Sequence, residues 1–90
     1  MSAPEGTPTT LETLDARGLL CPLPVIRTQD KVKTLAVGTH LDVLATDPGT
    51  LHDIPAWCRV HGHTVVETVD SEAGRGTREI RIRIEVCNTD

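Results

Sequence analysis

Apolar and polar residues alternate most regularly at residues 77–86, near the end of the chain. Branched aliphatic side chains occupy every second position, and charged side chains occupy the positions between them. A two-residue period is typical of a β-strand with one buried face. Weaker versions of this pattern at residues 11–15, 39–45 and 64–69 predict three further strands. The apolar set of the last strand is Ile80, Ile82, Ile84 and Val86.

Two segments between these strands follow a helical period instead. Residues 22–36 predict a first helix with Gly38 as its stop, and residues 50–61 predict a second helix that ends at Gly62. Each helix has an apolar face that we expect to be buried. These faces are Val25, Val32 and Ala36, with Ile26 and Leu35 at the edges, in the first helix, and Leu51, Ile54, Cys58 and His61 in the second.

The start of the second helix contains residues that predict its first turn. Thr50 and Asp53 have the spacing of a capping box, in which the Thr50 side chain caps the helix. Pro55 falls just beyond the first turn of a helix that starts at Thr50, and it has no N–H to donate. We therefore expect an irregular or tightened first turn in this helix.

The predicted elements follow the order β-α-β-α-β-β. Each helix follows a strand, and right-handed crossovers place both helices on the same face of one sheet. This order predicts an α/β two-layer sandwich, with a four-stranded mixed sheet and two helices on one face. The 90 residues suffice for one small domain, which we assign to residues 11–87. Residues 1–10 predict a disordered tail, and residues 70–76 predict a polar loop.

Composition narrows the classes of function. The net charge is −4, and the chain has one Trp, no Phe and no Tyr. A nucleic-acid-binding protein is usually basic and often stacks bases on aromatic side chains, so we expect no direct nucleic-acid binding. No apolar run reaches the roughly 20 residues of a membrane span, and residues 1–7 do not resemble a signal peptide. Three cysteines at scattered spacing do not suggest a disulfide scaffold, which favours the reducing cytoplasm.

Cys21 stands where the first strand gives way to the first helix, and it is followed by Pro22 and Pro24. Because proline favours the first helical turn, the sequence predicts Cys21 as the N-cap, Pro22 at N1 and Pro24 at N3. Unpaired N–H groups and the positive end of the helix dipole stabilise a thiolate at such a position. We therefore expect the pKa of Cys21 to lie moderately below that of a free cysteine, with the N–H groups of Leu23 and Val25 as donors.

The segment around Cys21 also resembles a known family. Residues 14–24 read Leu-Asp-x-x-Gly-Leu-x-Cys-Pro-Leu-Pro, which is similar to the signature of the TusA/SirA family of sulfur-carrier proteins. The resemblance continues at residues 45–50, a turn after the second strand, and at residues 53–58, the start of the second helix. It covers residues 11–86, nearly the whole chain, and Cys-Pro-x-Pro in this setting is a specific motif.

The resemblance implies the same fold and a role in sulfur relay. A sulfur donor protein, such as a cysteine desulfurase or a rhodanese-type sulfurtransferase, would load sulfane sulfur onto Cys21 as a persulfide. A downstream protein with a reactive cysteine would accept it. Family members supply tRNA 2-thiouridine thiolation, sulfur oxidation, and molybdenum-cofactor or selenium metabolism. The residues 53–58 resemble most the members that serve tRNA thiolation.

The sequence shows no evident general base and no cofactor-binding loop. We therefore expect a persulfide carrier rather than a stand-alone enzyme, and no cofactor. One alternative is a non-catalytic regulatory or protein-interaction module of the same fold, for which Cys21 would be dispensable. Another alternative is direct RNA binding, which the acidic composition disfavours.

Further residues near the motif have candidate roles. Asp15 and Gly18 belong to the family signature, and their simplest roles are a carboxylate that anchors the loop and a backbone position with an unusual φ. Arg27 and Lys31 lie less than three turns from Cys21 on the first helix, and Arg17 precedes it. These cations form either a solvated surface or a patch that attracts an acidic partner protein.

The remaining candidate residues favour structural roles. Cys58 and Trp57 lie in the second helix, and we expect both to pack in or at the edge of the core. Cys87 continues the outward positions of the last strand, which predicts an exposed thiol. We expect His61 to be half-buried and His63 to lie in a loop; together with Cys58 they lack the paired spacing of a zinc site, so no metal is expected.

Overall fold

The computed structural model describes residues 10–73 and 77–88. Of the predicted tail, residues 1–9 lie outside the described residues. The carbonyl of Thr10 accepts a hydrogen bond of 2.8 Å from the N–H of His40. The elements are β1 (Leu11–Asp15), α1 (Leu23–Val32), β2 (His40–Ala45), α2 (Thr50–His61), β3 (Thr64–Ala73) and β4 (Thr77–Glu85).

The four strands form one mixed sheet in the order β1-β2-β4-β3. β1 pairs with β2 in parallel, whereas β4 pairs with both β2 and β3 in antiparallel. The predicted four-stranded mixed sheet is therefore confirmed. The hairpin-forming strand β4 lies in the interior of the sheet, which explains its regular alternation of apolar and charged residues.

The two helices cover one face of this sheet. On that face the residues of β2 pair with those of β4, namely Leu41 with Ile84, Val43 with Ile82 and Ala45 with Ile80, and all six are buried. The helices complete the same core with four further buried side chains, which confirms the predicted two-layer architecture. These side chains are Val32 of α1 and Ile54, Trp57 and Cys58 of α2.

The helix α1 is shorter than predicted, and its buried face matches the predicted one only in part, since Val32 is buried as expected. Its buried residues are Pro24, Thr28 and Val32, spaced four apart, while Ile26 and Ala36 are exposed. A polar residue occupies this face because the Thr28 hydroxyl donates to the carbonyl of Pro24 at 2.8 Å. The apolar pattern alone could not predict this pairing.

The end of α1 also differs from the prediction, because the chain leaves the helix at Lys33. The Thr34 hydroxyl and the Thr34 N–H both donate to the carbonyl of Lys31, at 2.7 and 2.9 Å, and such bonds compete with helical ones. Gly38 lies in the following turn with a φ of +96° and donates its N–H to Val86 at 2.7 Å.

The helix α2 has the predicted bounds but not the predicted cap. Gly49 is the N-cap, and the Thr50 hydroxyl donates to the carbonyl of Asp47 at 2.7 Å. The capping-box prediction for Thr50 and Asp53 is therefore wrong. The first turn is tightened as expected, because three successive N–H groups bond to carbonyls three residues earlier, the last from His52 to Gly49 at 3.1 Å.

The strand β3 extends through part of the predicted polar loop. Residues 70–73 continue the antiparallel ladder with β4, and only residues 74–76 of the predicted loop lie outside the described residues. The Arg78 guanidinium and the Asp70 carboxylate pair at 2.7 Å across this extension. The polar composition of residues 70–73 favoured a loop, but polar side chains on neighbouring strands can pair, as Asp70 and Arg78 do, and are therefore compatible with a strand.

Candidate functional site

Cys21 lies in the connection between β1 and α1, and its side chain is exposed. The helix begins at Leu23 with Pro22 as its N-cap, so Cys21 precedes the cap by one residue. The predicted placement of Cys21 as N-cap is therefore wrong by one position, and Pro24 lies at N2 rather than N3. The Cys21–Pro22 peptide bond is cis.

The backbone donors that the sequence assigned to the sulfur are used elsewhere. The N–H of Leu23 donates to the carbonyl of Leu20 at 2.9 Å, and the N–H of Val25 donates to the carbonyl of Pro22 at 3.1 Å. Neither group is free to stabilise a thiolate at Cys21. The hydrogen bonds that were expected to lower the pKa of Cys21 at the helix terminus are therefore not made.

The hydrogen-bond partner of the sulfur is instead a carboxylate. Cys21 Sγ donates to Oδ2 of Asp53 in the first turn of α2, at 3.0 Å. This bond raises the pKa of Cys21, and partial desolvation of the sulfur and the negative charges of Asp53 and Asp47 raise it further. The predicted lowering of the Cys21 pKa is therefore wrong, because a bond to the protonated form and like charges disfavour the thiolate.

Sequence reasoning assigned Asp53 to a helix cap and missed its place beside the sulfur. The two residues are separated by 32 positions along the chain. The signal in the sequence that could have indicated the contact is that Cys21 comes just before the first helix and Asp53 lies in the first turn of the second. Because β1 and β2 are parallel neighbours, the connections that follow them leave the sheet at the same edge, and this brings Cys21 and Asp53 together.

A second carboxylate anchors the backbone of Cys21. Asp47 Oδ2 accepts the N–H of Cys21 at 2.9 Å, and Asp47 Oδ1 accepts the N–H of Gly49 at 3.0 Å. These two backbone bonds lower the pKa of Asp47, the bond from Gly49 most. The turn before α2 is therefore tied directly to the residue that carries the thiol.

The loop before Cys21 is held by its own polar contacts. Asp15 accepts the N–H of Arg17 at 3.1 Å and two bonds from its guanidinium, at 2.9 and 3.0 Å. These bonds lower the pKa of Asp15 to about 2. Gly18 has a φ of +82°, which favours glycine, and donates its N–H to Thr46 Oγ1 at 2.9 Å. Asp15 thus folds the loop, and Arg17 is engaged in it.

Exposed apolar side chains flank the thiol. Leu20, Leu23 and Ile26 are 72%, 41% and 47% exposed, on either side of Cys21 and on the first turn of α1. Arg27 is exposed next to them, and no hydrogen bond or ion pair among residues 10–73 and 77–88 engages its side chain. Lys31 points towards β1, where Nζ lies 3.8 Å from Oε1 of Glu12.

Comparison with known proteins places this chain in a family. The family model described as sulfurtransferase TusA matches residues 12–85. The chain belongs to the TusA family. This match includes Cys21, the loop that precedes it and both acidic residues beside it.

Individual TusA proteins support the assignment. The chain is 52% identical over 61 residues to the sulfur carrier protein TusA of Pseudomonas aeruginosa, covering 68% of this chain and 76% of that protein. It is 46% identical over 77 residues to TusA of Pseudomonas syringae pv. syringae, covering 86% and 88%. The crystal structure of a SirA-like protein from Desulfitobacterium hafniense superimposes with a TM-score of 0.59 at 26% identity, covering 80% of this chain and 95% of that one.

The other cysteines of this TusA-family chain lie away from the motif. Cys58 is buried in the core, as expected, and burial raises its pKa to about 11. Cys87 is exposed, also as expected, and its sulfur lies 3.5 Å from Thr64 Oγ1. Trp57 packs at the core with its Nε1 donating to Gln29 at 3.3 Å.

Of the histidines near Cys58, His63 lies in the connection between α2 and β3, as expected, whereas the burial of His61 differs from its prediction. His61 is exposed rather than half-buried, whereas His63 is buried and stacks on Trp57 with ring centroids 5.0 Å apart. Among the residues that the structure describes, no group of three or more His, Cys, Asp or Glu side chains could hold a metal ion. No helix in the same residues is long and apolar enough to cross a membrane.

The exposure of the cysteines predicts their order of alkylation. We expect iodoacetamide to modify Cys21 faster than Cys58, because Cys21 is exposed whereas Cys58 is buried with a pKa of about 11. Because the pKa of Cys21 is raised, its rate should still increase with pH beyond about 8.5, the ordinary value for free cysteine. Peptide-level labelling over a pH series measures both. A Cys21 rate that levels off below neutral pH would contradict the Asp53 contact.

Proposed function

We propose that this TusA-type sulfur carrier accepts sulfane sulfur on Cys21 as a persulfide and passes it to a downstream acceptor protein. The observation that supports this proposal is an exposed thiol in the Cys-Pro-x-Pro segment, on a residue whose backbone N–H is held by Asp47 and beside exposed apolar side chains. Such a thiol is accessible to the cysteine of another protein. Cys58, by contrast, is buried.

The chemistry requires two exchanges of one sulfur atom. In loading, Cys21 Sγ attacks the terminal sulfur of the donor's persulfide, the donor's S–S bond breaks, and the donor cysteine leaves as a thiolate. In delivery, the acceptor's cysteine attacks the terminal sulfur on Cys21, and the bond between that sulfur and Sγ breaks. No net oxidation or reduction occurs, so the carrier needs no cofactor.

The donor in this proposal is a cysteine desulfurase or a rhodanese-type sulfurtransferase, and the acceptor has a reactive cysteine. The pathway is tRNA 2-thiouridine thiolation or a sulfur-oxidation relay, in the cytoplasm. Three free cysteines are in keeping with a reducing compartment. In this role the protein depends on partner proteins and is a carrier rather than a stand-alone enzyme.

Intact-mass spectrometry tests the loading step. The full chain is incubated with a cysteine desulfurase and cysteine in a buffer free of reducing agents, and its mass is then measured. We expect a gain of one sulfur atom that a reducing agent removes. A protein that binds the desulfurase without any gain in mass would instead be a regulatory or interaction module of the same fold.

Partner proteins must cover the surface beside Cys21 to bring two sulfur atoms together. We propose that Leu20, Leu23, Ile26 and Arg27 form this docking surface. Arg17 and Lys31 also belong to the cationic side of the site, but both are engaged in ion pairs, with Asp15 at 2.9 Å and Glu12 at 3.8 Å. Arg27 is therefore the cation best placed to meet an acidic partner surface.

Reversal of the Arg27 charge tests this docking surface. We expect Arg27→Glu to slow sulfur transfer at low ionic strength, because it replaces attraction to an acidic partner by repulsion. The slowing should shrink as salt is added, since screening weakens both effects. The rate of sulfur transfer is measured at several salt concentrations by quenching the reaction at successive times. Lys33→Glu, the same change at the far end of α1, is the matched control, and equal slowing by both variants would contradict local docking at Arg27.

A further inference from the structure

A carboxylate stands directly against the sulfur of Cys21. Asp53 Oδ2 lies 3.0 Å from Sγ, which is within the reach required of a base that removes a proton. The two groups come from different elements, since Cys21 precedes α1 and Asp53 belongs to the first turn of α2. Within the described residues, Asp53 is the side chain that hydrogen-bonds to this sulfur.

Backbone hydrogen bonds hold the two groups in this position. Asp47 accepts the N–H of Cys21 at 2.9 Å and fixes the backbone that carries the sulfur. The N–H of Asp53 donates to the carbonyl of Gly49 at 2.9 Å and fixes the backbone that carries the carboxylate. Gly49 in turn donates to Asp47 at 3.0 Å, so both backbones are tied to one turn. The distance between Sγ and the Asp53 carboxylate is therefore set by backbone positions, since both side chains are short.

We propose that Asp53 is the acid–base group of sulfur transfer. It holds the proton of the resting Cys21 thiol and accepts that proton as Sγ attacks the donor's persulfide. This inference rests on the proposed function and adds a second residue to the reaction.

The proton and the electrons balance through the exchange. A lone pair of Cys21 Sγ forms the new S–S bond, and the bond pair of the donor's S–S bond leaves with the donor's cysteine sulfur. The Sγ proton moves to Asp53 Oδ2 and then to the departing donor sulfur. In delivery, the electron pair returns to Sγ, and the proton released by the acceptor's thiol restores the Cys21 thiol through the same carboxylate.

This role is distinct from a purely electrostatic effect on the thiol. Asp53 from α2 and Asp47 from the preceding turn are the charged groups that act on Sγ, and both disfavour a free thiolate. An electrostatic effect alone would make Cys21 a poor nucleophile for every reagent. A base that takes the proton during attack makes the thiol usable without a standing population of thiolate.

Asp53→Asn separates the two roles, because they predict opposite results for transfer. Alkylation by iodoacetamide depends on the free thiolate, so we expect it to speed up below the pKa of Cys21, because the variant removes the group that raises this pKa most. Single-turnover transfer from a persulfide-loaded cysteine desulfurase should slow by about a hundredfold, the lower end of general-base effects. Faster alkylation with slower transfer supports the proposal. Acceleration of both, slowing of both or no change in either overturns it.

Two further variants control for charge and chemistry. Asp30→Asn removes one negative charge from the exposed surface of α1 and should alter neither rate. Asp53→Glu keeps a carboxylate and should recover transfer relative to Asp53→Asn. Equal transfer by Asp53→Asn and Asp53→Glu, with both variants folded by thermal melt, would overturn the assignment of a base.

A comparison of pH profiles tests the proposal on the wild-type protein. Below its pKa, alkylation of Cys21 should rise about tenfold per pH unit with the thiolate fraction. Transfer from the desulfurase should rise much less over the same range, because Asp53 accepts the proton. Parallel profiles would overturn the proposal. If the wild type takes up no sulfur at all, the proposed function fails, whereas the alkylation arm still reports the Asp53 contact.

Discussion

Cys21→Ser is expected to reduce sulfur loading to background. A serine hydroxyl cannot form a persulfide, and at neutral pH it is a far weaker nucleophile than a cysteine. The exposed Cys21 is held at its backbone by Asp47, and the serine side chain is close enough in size to keep the same loop. Loading by a cysteine desulfurase, followed by intact mass, should therefore show no gain in a folded variant.

Cys87→Ser is the matched control for this prediction. Cys87 is also an exposed thiol, and its sulfur lies near Thr64 Oγ1 and the carbonyl of Glu85, at 3.5 and 3.4 Å, where a hydroxyl can make the same contacts. This variant should load like the wild type. Loss of loading in Cys87→Ser, with loading retained in Cys21→Ser, would show that Cys87 carries the sulfur and would contradict this prediction.

Ile82→Ala is expected to unfold a large part of the protein. Ile82 is completely buried in the centre of β4 and is paired with Val43 of β2. Removal of such a side chain costs roughly 2–5 kcal/mol, a large share of the roughly 5–15 kcal/mol that stabilises a typical domain. The melting temperature should fall by at least about 8 °C, since each kcal/mol corresponds to roughly 4–8 °C at this size.

Ile26→Ala provides the same deletion at an exposed position. Ile26 is 47% exposed on α1, and alanine has the higher helix propensity, so the melting temperature should change little. Thermal melts followed by circular dichroism compare the two variants. Similar losses of stability in both variants would contradict the burial of Ile82 in the core.

The sheet could be predicted from the sequence because its pattern is local. Each inward residue of β4 is two positions from the next, so the alternation alone identifies its buried face. The helices were harder to predict. α1 buries Thr28, whose hydroxyl is satisfied by the carbonyl of Pro24, and a count of apolar residues cannot detect such a bond.

The sequence identified Cys21 as the candidate residue but did not predict the hydrogen-bond partner of its sulfur or the direction of its pKa shift. Cys21 could be identified from its motif, whereas its pKa depends on a partner 32 positions away, Asp53. Helix-terminus physics predicted a lowered pKa, but the N–H groups of Leu23 and Val25 bond to backbone carbonyls. The direction of the shift was therefore decided by a tertiary contact that no local pattern encodes.

The most direct test of a sulfur carrier follows one sulfur atom through the protein. The full chain is loaded by a cysteine desulfurase with heavy-isotope cysteine, separated from the donor and mixed with an acceptor protein that has a reactive cysteine. Mass spectrometry of the peptides that contain Cys21 and the acceptor's cysteine should show the heavy sulfur leaving the first as it arrives on the second. Heavy sulfur that never resides on Cys21, or that remains there while the acceptor stays unlabelled, would contradict the account.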